Sequence, residues 1–210
     1  MTESFIKSFL YSKLMKQELI IKLFALKKDW KQRELLAEAG CTKGYLSKVI
    51  KRLENENSVT KIDRKQIIVI DLPKLLSHWI SIRKLAKPHF IDTEESVEKI
   101  EQKLKKSNIN YSITLFRAAW HRLKLLKVEK IEIYVLEKDF GKVFKLLGKP
   151  NAYGKVELYP AEETDISYSE KINGINLVPV VQNYVDLMHA GGNGTRIALE
   201  LAKRFELFGV

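Results

Sequence analysis

Residues Trp30 to Val59 read WKQRELLAEAGCTKGYLSKVIKRLENENSV. In the second half of this stretch Leu46, Val49, Ile50 and Leu53 fall at i, i+3, i+4 and i+7, which predicts a helix with one apolar face. Gly44, Ser47, Lys48 and Lys51 lie roughly opposite, flanked by Lys43, Tyr45 and Arg52. In the first half Leu35, Leu36 and Ala39 supply a matching apolar face. Gly40 stands where the chain must leave that helix and turn sharply, because glycine takes left-handed backbone angles at little cost. Thr42 fits as the N-cap of the second helix. Helix, glycine turn and lysine-bearing helix together form the pattern of a helix-turn-helix, whose second helix enters the DNA major groove.

The next residues, VTKIDRKQIIVID, hold two β-branched runs around a polar tip, Asp63-Arg64-Lys65-Gln66. They predict a β-hairpin and so a winged version of the motif. Ahead of the motif, Ser12 to Lys28 carries Leu14, Leu19, Ile20, Leu23, Phe24 and Leu26 at helical spacing, as a scaffold helix would. Phe5, Ile6, Phe9 and Leu10 extend that stripe, either to cap the core or to form the seam of a homodimer. After the hairpin, Leu72 to Leu85 reads as a helix with Pro73 in its first turn and Trp79 as a packing residue. Lys87-Pro88 marks the expected boundary between domain 1–87 and domain 88–210.

Charge is segregated in the same way. Residues 1–87 hold 19 Lys+Arg and 9 Asp+Glu, whereas residues 88–210 hold 18 and 17. A positive field confined to one domain is the footprint expected for phosphate-backbone binding, where Lys and Arg release condensed counterions; an anionic membrane surface could also attract it. No run of about 18 uninterrupted apolar residues is present, so no spanning helix is expected. The start, MTESFIKSFLYSKLMK, mixes charges among its apolar residues and does not have the form of a secretory signal. Cys41 is the single cysteine, which excludes an intrachain disulfide and a cysteine-cluster metal site. A reducing cytoplasm suits it.

The second domain alternates element types, which predicts an α+β fold with a short sheet. Helices are expected over Glu94 to Lys106, Phe140 to Leu147, Val178 to Met188 and Thr195 to Phe205, and strands over Tyr111 to Leu115, Lys130 to Leu136 and Lys155 to Tyr159. Ala118 to Leu126 is too mixed to assign, and Gly174 breaks a polar stretch. In AGGNGTR the glycines are expected to end one helix while Asn193 or Thr195 caps the next, with Arg196 placed to pair with Asp186 or with a phosphate.

YSITLFRAAWHRL, KIEIYVL and LVPVVQNYVDLMHAGGNGTRIALELAKRF resemble the C-terminal domain of AbiEi-type antitoxin regulators. The resemblance runs over nearly the whole chain. It implies an N-terminal winged helix joined to an α+β domain, repression of the protein's own toxin-antitoxin operon, and a paired nucleotidyltransferase toxin.

Together these readings lead to a double-stranded DNA-binding regulator, not an enzyme, with no cofactor and no metal. Thr42, Lys43, Tyr45, Ser47, Lys48 and Lys51 would face the major groove, where lysine can donate to guanine. Arg64 and Lys65 would reach phosphates or a minor groove, and Lys31, Gln32 and Arg52 would fix register on the backbone. Two alternatives stand beside this. Glu157, Glu162, Glu163 and Asp165 could serve a metal-dependent nuclease, and the winged helix could dock on protein instead of DNA.

Overall fold

The computed structural model describes residues 3–63, 65–125 and 128–209, with side chains from residue 15 onward. Among these residues it is a mixed α+β protein with ten α-helices and two sheets, of three and seven strands. The chain forms two compact units, Met1–Arg83 with Glu206–Val210, and Lys84–Phe205. The division thus falls between Arg83 and Lys84, ahead of the expected Lys87-Pro88 junction, and the final residues group with the first unit.

The first unit runs α1 (Glu3–Leu26), β1 (Asp29–Lys31), α2 (Gln32–Ala39), α3 (Lys43–Asn55), β2 (Val59–Lys61), β3 (Gln66–Val69) and α4 (Leu72–Ile82). One helix, α1, spans both the scaffold segment and the stripe ahead of it; the side chains of Phe5, Ile6, Phe9 and Leu10 lie outside the described residues. Ile20, Ile21, Leu23 and Phe24 are fully buried, each contributing about 1.5–3 kcal/mol of transfer free energy. Trp30 belongs to β1 rather than to the first helix of the motif, because β1 pairs antiparallel with β3 in the order β1-β3-β2. Its indole Nε1 donates to Leu23 O at 3.0 Å, tying that sheet to α1. Asp71 caps α4 by accepting from Lys74 N at 2.9 Å, and Trp79 is fully buried as a packing residue.

The second unit runs β4 (His89–Ile91), α5 (Val97–Lys106), β5 (Tyr111–Ile113), α6 (Leu115–Leu123), β6 (Ile131–Val135), a 3-10 turn at Glu137–Asp139, α7 (Phe140–Leu147), β7 (Pro150–Asn151), β8 (Val156–Pro160), α8 (Glu163–Ser167), β9 (Glu170–Ile172), β10 (Ile175–Leu177), α9 (Val180–Ala190) and α10 (Asn193–Arg204). The sheet order is β7-β4-β8-β6-β5-β10-β9, with β6–β8 and β5–β10 parallel and the remaining neighbours antiparallel. The expected short sheet is therefore seven strands wide, though each strand has only two to five residues. Every residue of β5 and β6 is buried, so neither shows the alternation that marks a half-exposed strand. The unassigned Ala118 to Leu126 segment belongs largely to α6.

The α9–α10 corner corrects one detail. Gly192 occupies the N-cap of α10 at φ 51°, and neither Asn193 nor Thr195 caps that helix with its side chain. Gly194 lies against α9 so closely that a Cβ there would sit 2.4 Å from Leu187 O.

Candidate nucleic-acid interface

Helix α3 has two chemically distinct faces. Leu46, Val49, Ile50 and Leu53 are buried, while Thr42, Lys43, Ser47, Lys48, Lys51 and Arg52 are exposed and Tyr45 is half-buried. The turn into it forms as the residues require. Gly40 adopts φ 53°, and its N–H donates to Ala37 O; Thr42 Oγ1 then accepts from Tyr45 N at 3.3 Å. Among the described residues Lys43, Lys48 and Lys51 make no ion pair, so their charges stay available to an external anion. Arg52 differs. Its Nε donates to Glu56 Oε1 at 3.1 Å, one turn along the same helix.

The β2–β3 hairpin registers Val59 against Val69 and Lys61 against Ile67. Asp63 closes its tip by accepting from Lys65 N at 2.5 Å and Gln66 N at 2.8 Å. Those backbone donors hold the Asp63 carboxyl below its ordinary range. Gln66 is the first residue of β3 rather than part of the free tip, and its side-chain amide donates to Asp29. Lys65 is exposed, Arg64 lies outside the described residues, and Lys61 is bound to Glu54 at 2.7 Å.

The fold also joins residues far apart in sequence. Gln32 N donates to Lys65 O at 2.7 Å, which brings the start of α2 against the hairpin tip. Exposed Lys31, half-buried Gln32 and exposed Lys65 therefore share one corner of the unit. Sequence reasoning missed the partners that set these side chains. Glu56 and Asp29 carry no periodic signal, and only folding shows which cations and amides they meet.

The carboxylates singled out in the second unit are engaged by residues of that unit. Asp165 accepts from Gln182 Nε2 at 2.6 Å and from Glu162 N at 2.8 Å, Glu157 accepts from Lys130 and Tyr159, and Glu163 pairs with Lys138. Asp186 is fully buried, its Oδ2 accepting from Thr114 and Tyr134 at 2.8 and 3.0 Å, whereas Arg196 and His189 are exposed. The expected Arg196–Asp186 pairing thus gives way to two buried hydroxyl donors. Among the described residues no group of three or more His, Cys, Asp or Glu is placed to hold a metal ion. None of their helices is long and apolar enough to cross a membrane.

No protein-family model matches this chain, and no curated protein matches it.

Proposed function

We propose that the first unit is a winged helix-turn-helix and that the protein is a sequence-specific, double-stranded DNA-binding transcriptional regulator. The observation that carries this is the outer face of α3, where Lys43, Lys48 and Lys51 are exposed without ion pairs among the described residues while the opposite face is buried. A long-chain cation held on a rigid helix can reach guanine N7 and O6 in the major groove. Lys65 at the hairpin tip and Lys31 beside it supply sequence-independent phosphate contacts. The concentration of positive charge in residues 1–87 favours DNA over a protein partner for this surface.

The AbiEi-type resemblance supports a narrower reading. The protein acts in the cytoplasm as an antitoxin that represses its own operon and is functionally paired with a nucleotidyltransferase toxin. A homodimer would match a symmetric operator.

The test is a fluorescence-anisotropy titration of a labelled duplex from the upstream region of the gene, repeated across salt concentrations and against a scrambled duplex. The expected result is tighter binding to the upstream duplex, with log affinity falling linearly in log salt. Absence of binding to either duplex overturns the reading. Cleavage of the DNA on adding Mg2+ or Mn2+ would replace it with a nuclease.

A further inference from the structure

Arg52 is held along one edge only. Its Nε donates to Glu56 Oε1, and the two Nη nitrogens have no hydrogen-bonding partner among the described residues. The side chain is 59% exposed, so this end of the guanidinium faces solvent. An isolated, exposed i,i+4 pair of this kind is weak and does not by itself fix a guanidinium.

Glu56 is not isolated. His78 Nδ1, on α4, lies 2.6 Å from Glu56 Oε2, and the His78 side chain is only 8% exposed. The other ring nitrogen, Nε2, faces Gln17 Nε2 of α1 at 3.2 Å. With the carboxylate accepting at Nδ1–H, the remaining ring nitrogen accepts from the Gln17 amide. Burial pushes the Glu56 carboxyl up, but the hydrogen bonds from His78 and Arg52 outweigh it and keep Glu56 charged well below neutral pH. Side chains from α1, α4 and α3 thus converge to immobilise one carboxylate, and that carboxylate grips an exposed arginine by its inner edge.

We propose that Glu56, fixed by His78 and Gln17, is a positioning residue that presents the Nη edge of Arg52 to a DNA phosphate. The proposal rests on the DNA-binding reading above. A guanidinium held by Nε keeps its two Nη groups parallel and free, the geometry that suits two-pronged phosphate recognition. Pre-ordering the side chain lowers the entropy lost on contact. The competing effect is electrostatic, because a carboxylate near a phosphate repels it, and the two effects predict opposite outcomes for removing Glu56.

Arg52→Ala, Glu56→Ala, Glu56→Gln and the Arg52→Ala/Glu56→Ala double variant are compared with wild type by anisotropy on the upstream duplex across salt concentrations, with thermal melts confirming that each is folded. Arg52→Ala and Glu56→Ala should each weaken binding about fivefold and lower the salt slope by about one. The double variant should bind no more weakly than Arg52→Ala alone, since both remove the same contact. Glu56→Gln keeps an acceptor for Nε without the negative charge and should bind at least as tightly as wild type. The proposal is overturned if Glu56→Ala binds as tightly as wild type or tighter, or if the two single effects add. If wild type binds no duplex, the DNA-binding reading fails with it; if wild type binds and only the Glu56 pattern fails, that reading survives.

Discussion

Arg117 and Glu101 form a two-armed buried ion pair, with Nε and Nη2 donating to Oε1 and Oε2 at 2.6 and 2.8 Å while the side chains remain 2% and 5% exposed. His121 Nε2 lies 2.6 Å from the same Oε1, and the guanidinium carbon sits 4.1 Å from the centre of the Trp120 ring. Burial disfavours the charged Glu101, yet hydrogen bonds from Arg117 and His121 hold its carboxyl below the ordinary range. The pair joins α5 to α6, and removing Glu101 leaves the buried Arg117 with only its longer contact to the exposed Glu98, Nη2 to Oε1 at 3.3 Å. Glu101→Ala should therefore lower stability by about 3–5 kcal/mol, whereas Glu101→Leu with Arg117→Met should recover much of that loss. Urea denaturation checks both, read as a midpoint shift at unchanged m. A Glu101→Ala loss below about 1 kcal/mol would show that the charge finds water instead.

Glu132 caps α6 from β6. Its Oε2 accepts from Arg117 N at 3.1 Å, a role that Thr114 at the N-cap does not fill with its own side chain. Burial raises its carboxyl to about 7, and the Glu157 charge adds to the rise against the opposing Arg117 N–H bond. The folded state therefore keeps a proton that the unfolded chain releases from about pH 4.5 upward. The stabilisation is fully present below that pH and is lost as pH rises through about 7, by up to roughly 3 kcal/mol. Glu132→Gln removes this titration. The difference in stability between variant and wild type should shift in favour of the variant between about pH 5 and pH 8, by urea midpoints on both proteins, and a flat difference would refute the assignment.

Gly194 is required by approach rather than by backbone angle. Leu187 O would lie 2.4 Å from an added Cβ, and Ala190 Cβ would be a further contact at 3.4 Å. Gly194→Ala must push α10 off α9, at a cost of about 1–3 kcal/mol. The melting temperature should fall by several degrees, while Gly192→Ala, with open space around its Cβ, reports only the strain of its φ of 51°.

Lys48 and Lys65 separate the two modes of contact proposed for DNA. Lys48→Ala should weaken binding to the cognate duplex by about 1–3 kcal/mol and narrow the gap to a scrambled one. Lys65→Ala should weaken both duplexes about equally and reduce the salt slope by about one. Competition anisotropy at matched salt distinguishes them, and wild-type affinity in the Lys48→Ala/Lys65→Ala double variant would remove this face from the interface.

Legibility in the sequence tracks the range of the interactions. The buried quartet Leu46, Val49, Ile50 and Leu53, the Gly40 turn and the Thr42 cap all depend on residues within a turn or two of one another. The β9–β10 hairpin is equally local, since Asn173 and Gly174 take φ of 52° and 80° between Ile172 and Ile175. That Asn-Gly pair is a hairpin signal in its own right, but polar flanks mask it and leave Gly174 reading only as a break. β1, β4 and β7 have three, three and two residues, too few to show a period.

The sequence by itself determined the two-faced α3, its turn and cap, the confinement of positive charge to residues 1–87 and the α+β character of residues 88–210. Only the tertiary structure decided the seven-strand order, the burial of Asp186 under Thr114 and Tyr134, and the anchoring of Arg52 through Glu56 to His78. Helical faces and caps are set by neighbours in the chain. Strand pairing and buried polar contacts are chosen by distant segments competing for the same partners, and no local pattern records which of them wins.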